Sequence, residues 1–181
     1  MGSPPAPVLF VVISGLPGSG KTTLATAVAR ELRLPLLSKD VIKETLFDVL
    51  GTGDVEWSKR LGQAGTQVLL ELARRSSGAV LESFWDPAIA RDELRGLGGD
   101  VVELFCDCPP SVARDRYRRR VAEGRHPGHL DTERDRDFDD WIRSGRGEPV
   151  STGGPLRRVT TTAPVDVAAV VEWIRGCFVE P

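Results

Sequence analysis

The chain is predicted to be an α/β protein of three layers, with a parallel sheet of about five strands, helices on both faces and a small helical lid. Three features of its 181 residues point there. Short apolar, β-branched runs alternate with stretches whose apolar residues recur at helical spacing. Strands separated by helices pair in parallel through right-handed crossovers. A hydrophobic content of 40% supplies one core for a single domain spanning residues 1–181.

The elements follow in order. Residues 1–7 are a proline-rich leader, expected to fray. Residues 8–13, Val-Leu-Phe-Val-Val-Ile, form a buried strand. Leu24, Ala25, Val28, Ala29 and Leu32 then mark a helix reaching about Arg33. Residues 34–37 read as a short second strand, leading into Ser38-Lys39-Asp40. Val41, Ile42, Thr45, Leu46, Val49 and Leu50 form the stripe of the next helix, stopped by Gly51 and Gly53. Trp57, Leu61, Ala64, Val68 and Leu72 mark another, ended near Gly78. Residues 79–84 are the third strand. Asp86 and Pro87 supply an N-cap and a first-turn proline for a helix that turns Ile89, Ala90, Leu94 and Leu97 inward, with Gly98-Gly99 ending it. Residues 101–106 are the fourth strand, followed by a basic helix over about 111–124 and a loop at 125–129. Phe138, Trp141 and Ile142 suggest a further helix. After a loop at 145–154 comes a last strand at 156–161, and Asp166 caps a helix carrying Val167, Val170, Val171 and Ile174.

Residues 15–22 carry the sharpest chemical signal. They read Gly-Leu-Pro-Gly-Ser-Gly-Lys-Thr and match G-x-x-x-x-G-K-[ST], the phosphate-binding P-loop. Glycines let the backbone fold back so that several N–H groups face one anion, and the following helix adds its positive end. The strand before the motif and the helix after it are the context it requires. Gly15, Pro17, Gly18, Ser19, Gly20, Lys21, Thr22 and Thr23 are therefore the expected nucleotide-binding residues. Lys21 would reach the β- and γ-phosphates, and the Thr22 hydroxyl would hold Mg²⁺. Ligands of such sheets bind at the carboxyl ends of the strands, which brings the P-loop, Asp40 and residues 82–86 to one rim.

Bulk properties exclude several classes. A net charge of −2 gives no global pull toward nucleic acid or anionic membrane. The N-terminal apolar run is too short for a membrane span and has no basic leader, so the protein is expected in the cytoplasm. Cys106, Cys108 and Cys177 have no metal-site spacing and read as reduced structural thiols, the first two facing one layer. Arginine outnumbers lysine 20 to 4. There is no Asn-Lys-x-Asp stretch of guanine-specific GTPases and no Leu-Ser-Gly-Gly-Gln stretch of transport ATPases, and the chain is short for an AAA+ motor. The small-kinase branch remains.

The combination of residues 15–23, Ser-Lys-Asp-Val-Ile-Lys-Glu at 38–44, Val-Leu-Glu-Ser-Phe at 80–84 and Arg-Tyr-Arg-Arg-Arg with Arg-His-Pro-Gly-His at 116–129 resembles the small P-loop kinases grouped with chloramphenicol phosphotransferase, zeta toxins and the kinase domain of polynucleotide kinases. The resemblance covers nearly the whole chain and names no substrate. It implies that Asp40 orients or deprotonates an acceptor hydroxyl; the residue also fits as an N-terminal cap of its helix. It implies that Glu82 lies near Mg²⁺ or the acceptor, against the alternative of a strand-end carboxylate bonded to a neighbouring loop. Phe84 and Trp85 fit either an acceptor pocket or the core.

Arg116, Arg119 and Arg120 share one helical face, which on a lid over about 111–130 closes on the phosphates, and which otherwise is a solvated basic face partnered by the acidic 131–140 stretch. Arg116 and Arg120 are the expected charge clamp with Lys21, and Arg125 a further nucleotide contact. His126 and His129 read as structural or exposed. Lys39 and Lys43 flank Asp40 and read by default as exposed helix lysines, with contact of one to an anionic acceptor as the alternative. The expectation is an ATP- and Mg²⁺-dependent kinase acting on a hydroxyl of a metabolite, nucleoside, nucleotide sugar or antibiotic. A polynucleotide 5′-hydroxyl kinase and a non-catalytic ATP-sensing module are the alternatives, with the chain's acidity arguing against the first.

Overall fold

The computed structural model describes residues 8–178, so the proline-rich leader expected at 1–7 lies outside the described residues. Five strands form one parallel sheet: β1 (Leu9–Ser14), β2 (Leu36–Ser38), β3 (Gly78–Glu82), β4 (Asp100–Asp107) and β5 (Leu156–Thr160), in the order β2-β3-β1-β4-β5. Every pairing is parallel, and β1 at the centre runs beside both β3 and β4. The helices are α1 (Lys21–Leu32), α2 (Lys39–Leu50), α3 (Val55–Arg74), α4 (Pro87–Arg95), α5 (Pro110–Ala122), α6 (Asp131–Arg134), α7 (Phe138–Arg143) and α8 (Val167–Gly176).

The pleat of β1 sorts the core. Val11 and Ile13 face α1 and α8, where they meet Leu24, Val28, Val170 and Ile174. Phe10 and Val12 face the other layer, built from Leu69, Leu70 and Ala73 of α3 and Ala90 and Leu94 of α4. A third apolar cluster sits above the sheet: Leu16, Ala113, Tyr117, Phe138 and Trp141 pack under the arginine-rich helix. The capping signals act as expected. Asp86 accepts from Ala88 N at 3.1 Å and Asp166 from Ala169 N at 3.0 Å. The irregular stretch before β5 is held by the buried Glu103 carboxylate, which accepts from Val150 N at 2.8 Å and Ser151 N at 2.9 Å.

Four expectations need correction. On α3 the inward face is Ser58, Leu61, Gly65, Leu69 and Ala73; Val68 and Leu72 are exposed. Small residues sit there because α2 crosses close by, a β-carbon on Gly65 meeting the Lys39 carbonyl oxygen at 3.5 Å. On α2 the buried side chains are Lys43 and Phe47, whereas Val41, Val49 and Leu50 face solvent. Ile89, expected inward, is 71% exposed. Cys106 and Cys108 part company as well: Cys106 joins the α1 side of the core, and Cys108, beyond the end of β4, packs against Leu16 and Tyr117. No helix among the described residues is long and apolar enough to cross a membrane.

Candidate active site

The P-loop bends from β1 into α1 through Gly15, Gly18 and Gly20, all at positive φ. Gly18 also needs its missing side chain for a second reason. A β-carbon there would stand 2.1 Å from the Ala113 carbonyl oxygen of α5, so the loop is seated directly on the arginine-rich helix. Gly20 caps α1 without a side-chain hydrogen bond, and the first turn carries no acidic residue. The free N–H groups and positive end of α1 are thus left for an external anion. The loop is braced from the far edge of the sheet: the Thr161 hydroxyl donates to the Ser19 carbonyl at 2.6 Å.

Above this loop lies a cavity of about 290 Å³ walled by the P-loop, the start of α2, the end of β3 and α5–α7. Lys21 is buried on its floor, and its ammonium donates to the Leu16 carbonyl at 2.8 Å. Burial lowers its pKa, with Glu82 opposing the shift. Glu82 ends β3, buried, and accepts from Ser38 Oγ at 2.6 Å and Thr22 Oγ1 at 3.4 Å. A carboxylate partnered by two hydroxyls beside the phosphate loop is a hard oxygen set that fits Mg²⁺, which keeps several waters and needs few protein ligands. No cluster of three or more His, Cys, Asp or Glu side chains among the described residues could hold a metal.

Asp40 occupies the first turn of α2 and faces the same cavity. Its carboxylate lies 3.8 Å from Lys39 Nζ and accepts from Arg125 at 2.5 Å. Burial works to raise its pKa, but Lys39, Arg125, His129 and Lys21 outweigh it and hold the group well below the usual carboxylate range. Arg125, expected on the nucleotide, is instead engaged at its other nitrogen by the buried Asp131 at 2.5 Å. Tyr117 joins that carboxylate from α5 at 2.8 Å.

The two clamp arginines both line the cavity. Arg116 donates to the Thr161 carbonyl at 3.0 Å. Arg120 stacks toward Tyr117, and its Nε is buried without a protein partner. An unpartnered buried guanidinium nitrogen in a phosphate-binding cavity is a position an anion would fill. Arg119 is solvent-exposed and pairs loosely with Glu123. Arg114 and Arg118 are held by Asp135 and Asp139, the acidic partnership foreseen for the 131–140 stretch. Phe84 reaches the cavity wall, whereas Trp85 belongs to the core and donates to the Ile13 carbonyl at 3.0 Å.

Several cavity residues escape a reading of motifs. Lys39 and Lys43 both line the cavity and are not exposed helix lysines. Lys43 is 1% exposed, with its ammonium on Ser58 Oγ at 2.8 Å. Burial, then Lys39 and Arg134, bring its pKa down to about 7. His129 is buried against Glu44 at 2.8 Å, and burial with Arg125 nearby lowers it to about 3, so it is neutral. Arg134, Asp131 and Trp141 complete the wall. The available signal was composition: two of the chain's four lysines fall within three residues of Asp40. A second groove continues from the P-loop between α1 and the segment after β5, lined by Thr23, Leu24, Ala27, Arg116, Pro164 and Val165.

Comparison with known proteins bears on this site. Residues 10–144 match the family model for an AAA domain. The adenylyl-sulfate kinase of Synechococcus sp. (strain JA-2-3B'a(2-13)) is 35% identical over 112 residues, covering 59% of this chain and 63% of that protein. Across such curated relatives the chain spans about three fifths of their length. A crystal structure from Chloroflexus aurantiacus j-10-fl, assigned as a kinase with no substrate named, is 34% identical with a TM-score of 0.80, over 94% of this chain and 98% of that one. Shikimate kinase from Acinetobacter baumannii shares the fold at 19% identity and a TM-score of 0.54, over 92% of this chain and 90% of that one.

Proposed function

The chain belongs to the AAA-domain family of P-loop kinases, and on that premise we propose that it transfers the γ-phosphoryl group of ATP to a hydroxyl of a small molecule. One observation carries the reading: Lys21, the Thr22–Glu82 pair, Arg120 and the Asp40 carboxylate all line a single cavity above the P-loop.

The triphosphate would lie along the loop N–H groups and the α1 terminus, with Lys21 leaving the Leu16 carbonyl for the β- and γ-phosphates. Thr22 and Glu82 would hold Mg²⁺, the second through a bound water, and the ion would neutralise charge on the phosphates. The adjoining groove beside Pro164 and Val165 would take the purine. Asp40 accepts a hydrogen bond from the acceptor hydroxyl and aims its oxygen at the γ-phosphorus. As the new O–P bond forms, the bond to the β,γ-bridging oxygen breaks and ADP departs. The hydroxyl proton passes to Asp40 and on to solvent. The transition state is loose, so a carboxylate of low basicity suffices for orientation and late proton transfer. Arg116 and Arg120, on a lid built from α5 and its continuation, offset the moving charge.

The test incubates the pure protein with Mg²⁺-ATP and a pooled library of hydroxylated small molecules, followed by mass spectrometry. A phosphorylated product that vanishes with Lys21→Ala supports the reading. Nucleotide binding with no product from any acceptor would move the protein to the ATP-sensing class.

A further inference from the structure

Lys39, Lys43 and Arg134 bring three basic side chains to the part of the cavity beside Asp40. Lys39 and Lys43 are one helical turn apart on α2, and each ammonium lies 3.8 Å from the point where a β-carbon of Gly62 would sit. Both heads therefore come together over Gly62 of α3. Arg134 comes from α6 with its guanidinium stacked on Trp141 at 5.2 Å. The carboxylates nearby are already shared: Asp40 is bound by Arg125, and Asp131 by Arg125 and Tyr117. Among the described residues Lys39 meets Asp40 alone, at 3.8 Å, beyond hydrogen-bond length. Arg134 meets Asp137 at 3.4 Å through one nitrogen, leaving its terminal nitrogens for another partner.

Charge over the whole cavity points the same way. Among the described residues, eight lysine and arginine side chains line it against four carboxylates. Mg²⁺-ATP brings a net charge of about −2 and, on the nucleotide reading, meets Lys21, Arg116 and Arg120. A positive excess remains on the side of Asp40, away from the phosphates. Burial is the main cause of the lowered proton affinity of Lys43, and the nearby Lys39 and Arg134 add to it.

Resting on the kinase reading above, we infer that the phosphoryl acceptor is an anion: a hydroxylated small molecule whose carboxylate or phosphate group docks between Lys39, Lys43 and Arg134 while its hydroxyl meets Asp40. The adjacency of Lys39 to Asp40 sets the anionic group and the reacting hydroxyl a few bonds apart. Neutral polyols, nucleosides and amino sugars leave the cluster unpartnered and are poor acceptors.

The test offers Mg²⁺-ATP with polyhydroxy compounds in matched neutral, carboxylated and phosphorylated forms. Product is expected from anionic members, and the carboxylate and phosphate arms show which group is read. Lys39→Met and Arg134→Gln should each lower kcat/KM for the preferred anion at least tenfold, mainly through KM. Lys59→Met, the same charge change on an exposed lysine of α3, should leave KM as it was. Equal or better turnover of the neutral forms, or an unaltered KM in both cavity variants, overturns the inference. Where no member is turned over, calorimetric titration of the same compounds into protein carrying Mg²⁺ and a non-hydrolysable ATP analogue decides. Absence of anion-selective, Lys39-dependent heat overturns the inference while leaving nucleotide binding intact. Failure of the analogue itself to bind through Lys21 would overturn the kinase reading instead.

Discussion

Arg125 donates to the carboxylate of Asp40 at 2.5 Å across 85 residues of sequence, and so ties the loop after α5 to the first turn of α2. Its second nitrogen holds Asp131 at the same distance. One guanidinium thereby joins the two walls of the cavity.

Arg125→Ala should destabilise the protein by about 2–4 kcal/mol, because it strands the buried Asp131 charge more than the half-exposed Asp40. Urea unfolding would register the loss as a lower midpoint at unchanged slope. A midpoint within error of the wild type would show that the bridge adds nothing to stability.

Asp40→Asn should keep Mg²⁺-ATP binding and reduce phosphoryl transfer by about 10²–10⁴-fold. The pH profile carries a second check. With its pKa held below the usual range, Asp40 is ionised throughout pH 5–8 and contributes no acidic limb there. The corresponding stability is in place above the unfolded value near 4 and is lost only as pH falls toward the lower folded value. Full turnover by the amide variant would remove Asp40 from the chemistry.

Gly18→Ala should abolish nucleotide binding and cost about 2–4 kcal/mol, since its β-carbon would enter the Ala113 carbonyl at a residue already at φ 81°. Gly124→Ala is the control. That residue also has positive φ, 93°, but nothing lies within 4 Å of its would-be β-carbon, so about 1 kcal/mol is expected. Equal costs at the two positions would mean that the contact with α5 is unimportant.

Lys43 ties stability to alkaline pH. Its folded pKa of about 7 lies below the unfolded value of 10.5, so between those limits the unfolded chain binds more protons. Stability should rise from pH 7 to 9, with a slope from this group of at most about 1.4 kcal/mol per pH unit. Lys43→Met should flatten that rise in urea midpoints taken across the range. An identical slope in the variant would place the proton elsewhere.

What could be read in advance follows from how local each signal is. The strand, glycine loop and helix around Lys21 are contiguous, so their spacing suffices to predict them. Asp40 and Glu82 follow from the rule that strand ends converge. The faces of α2 and α3 do not, because their packing exchanges apolar contact for function. Lys43 is buried with its ammonium on Ser58, itself buried, and Gly65 is small so that the helices can approach. Hydropathy alone turns that pair outward. The Arg125 bridge was equally invisible, being fixed by contacts between segments that no periodicity relates.

The hydrogen bond from Thr161 to the Ser19 carbonyl spans 142 positions and lies partly beyond the segment by which the family is recognised, residues 10–144. Recognition and competence therefore have different boundaries in this protein. A shortened version ending at residue 154 would retain every residue of the phosphate signature, yet surrender β5, the wall of the second groove and the brace beneath the loop. The glycine loop leans on a residue just past the strand at the edge of the sheet.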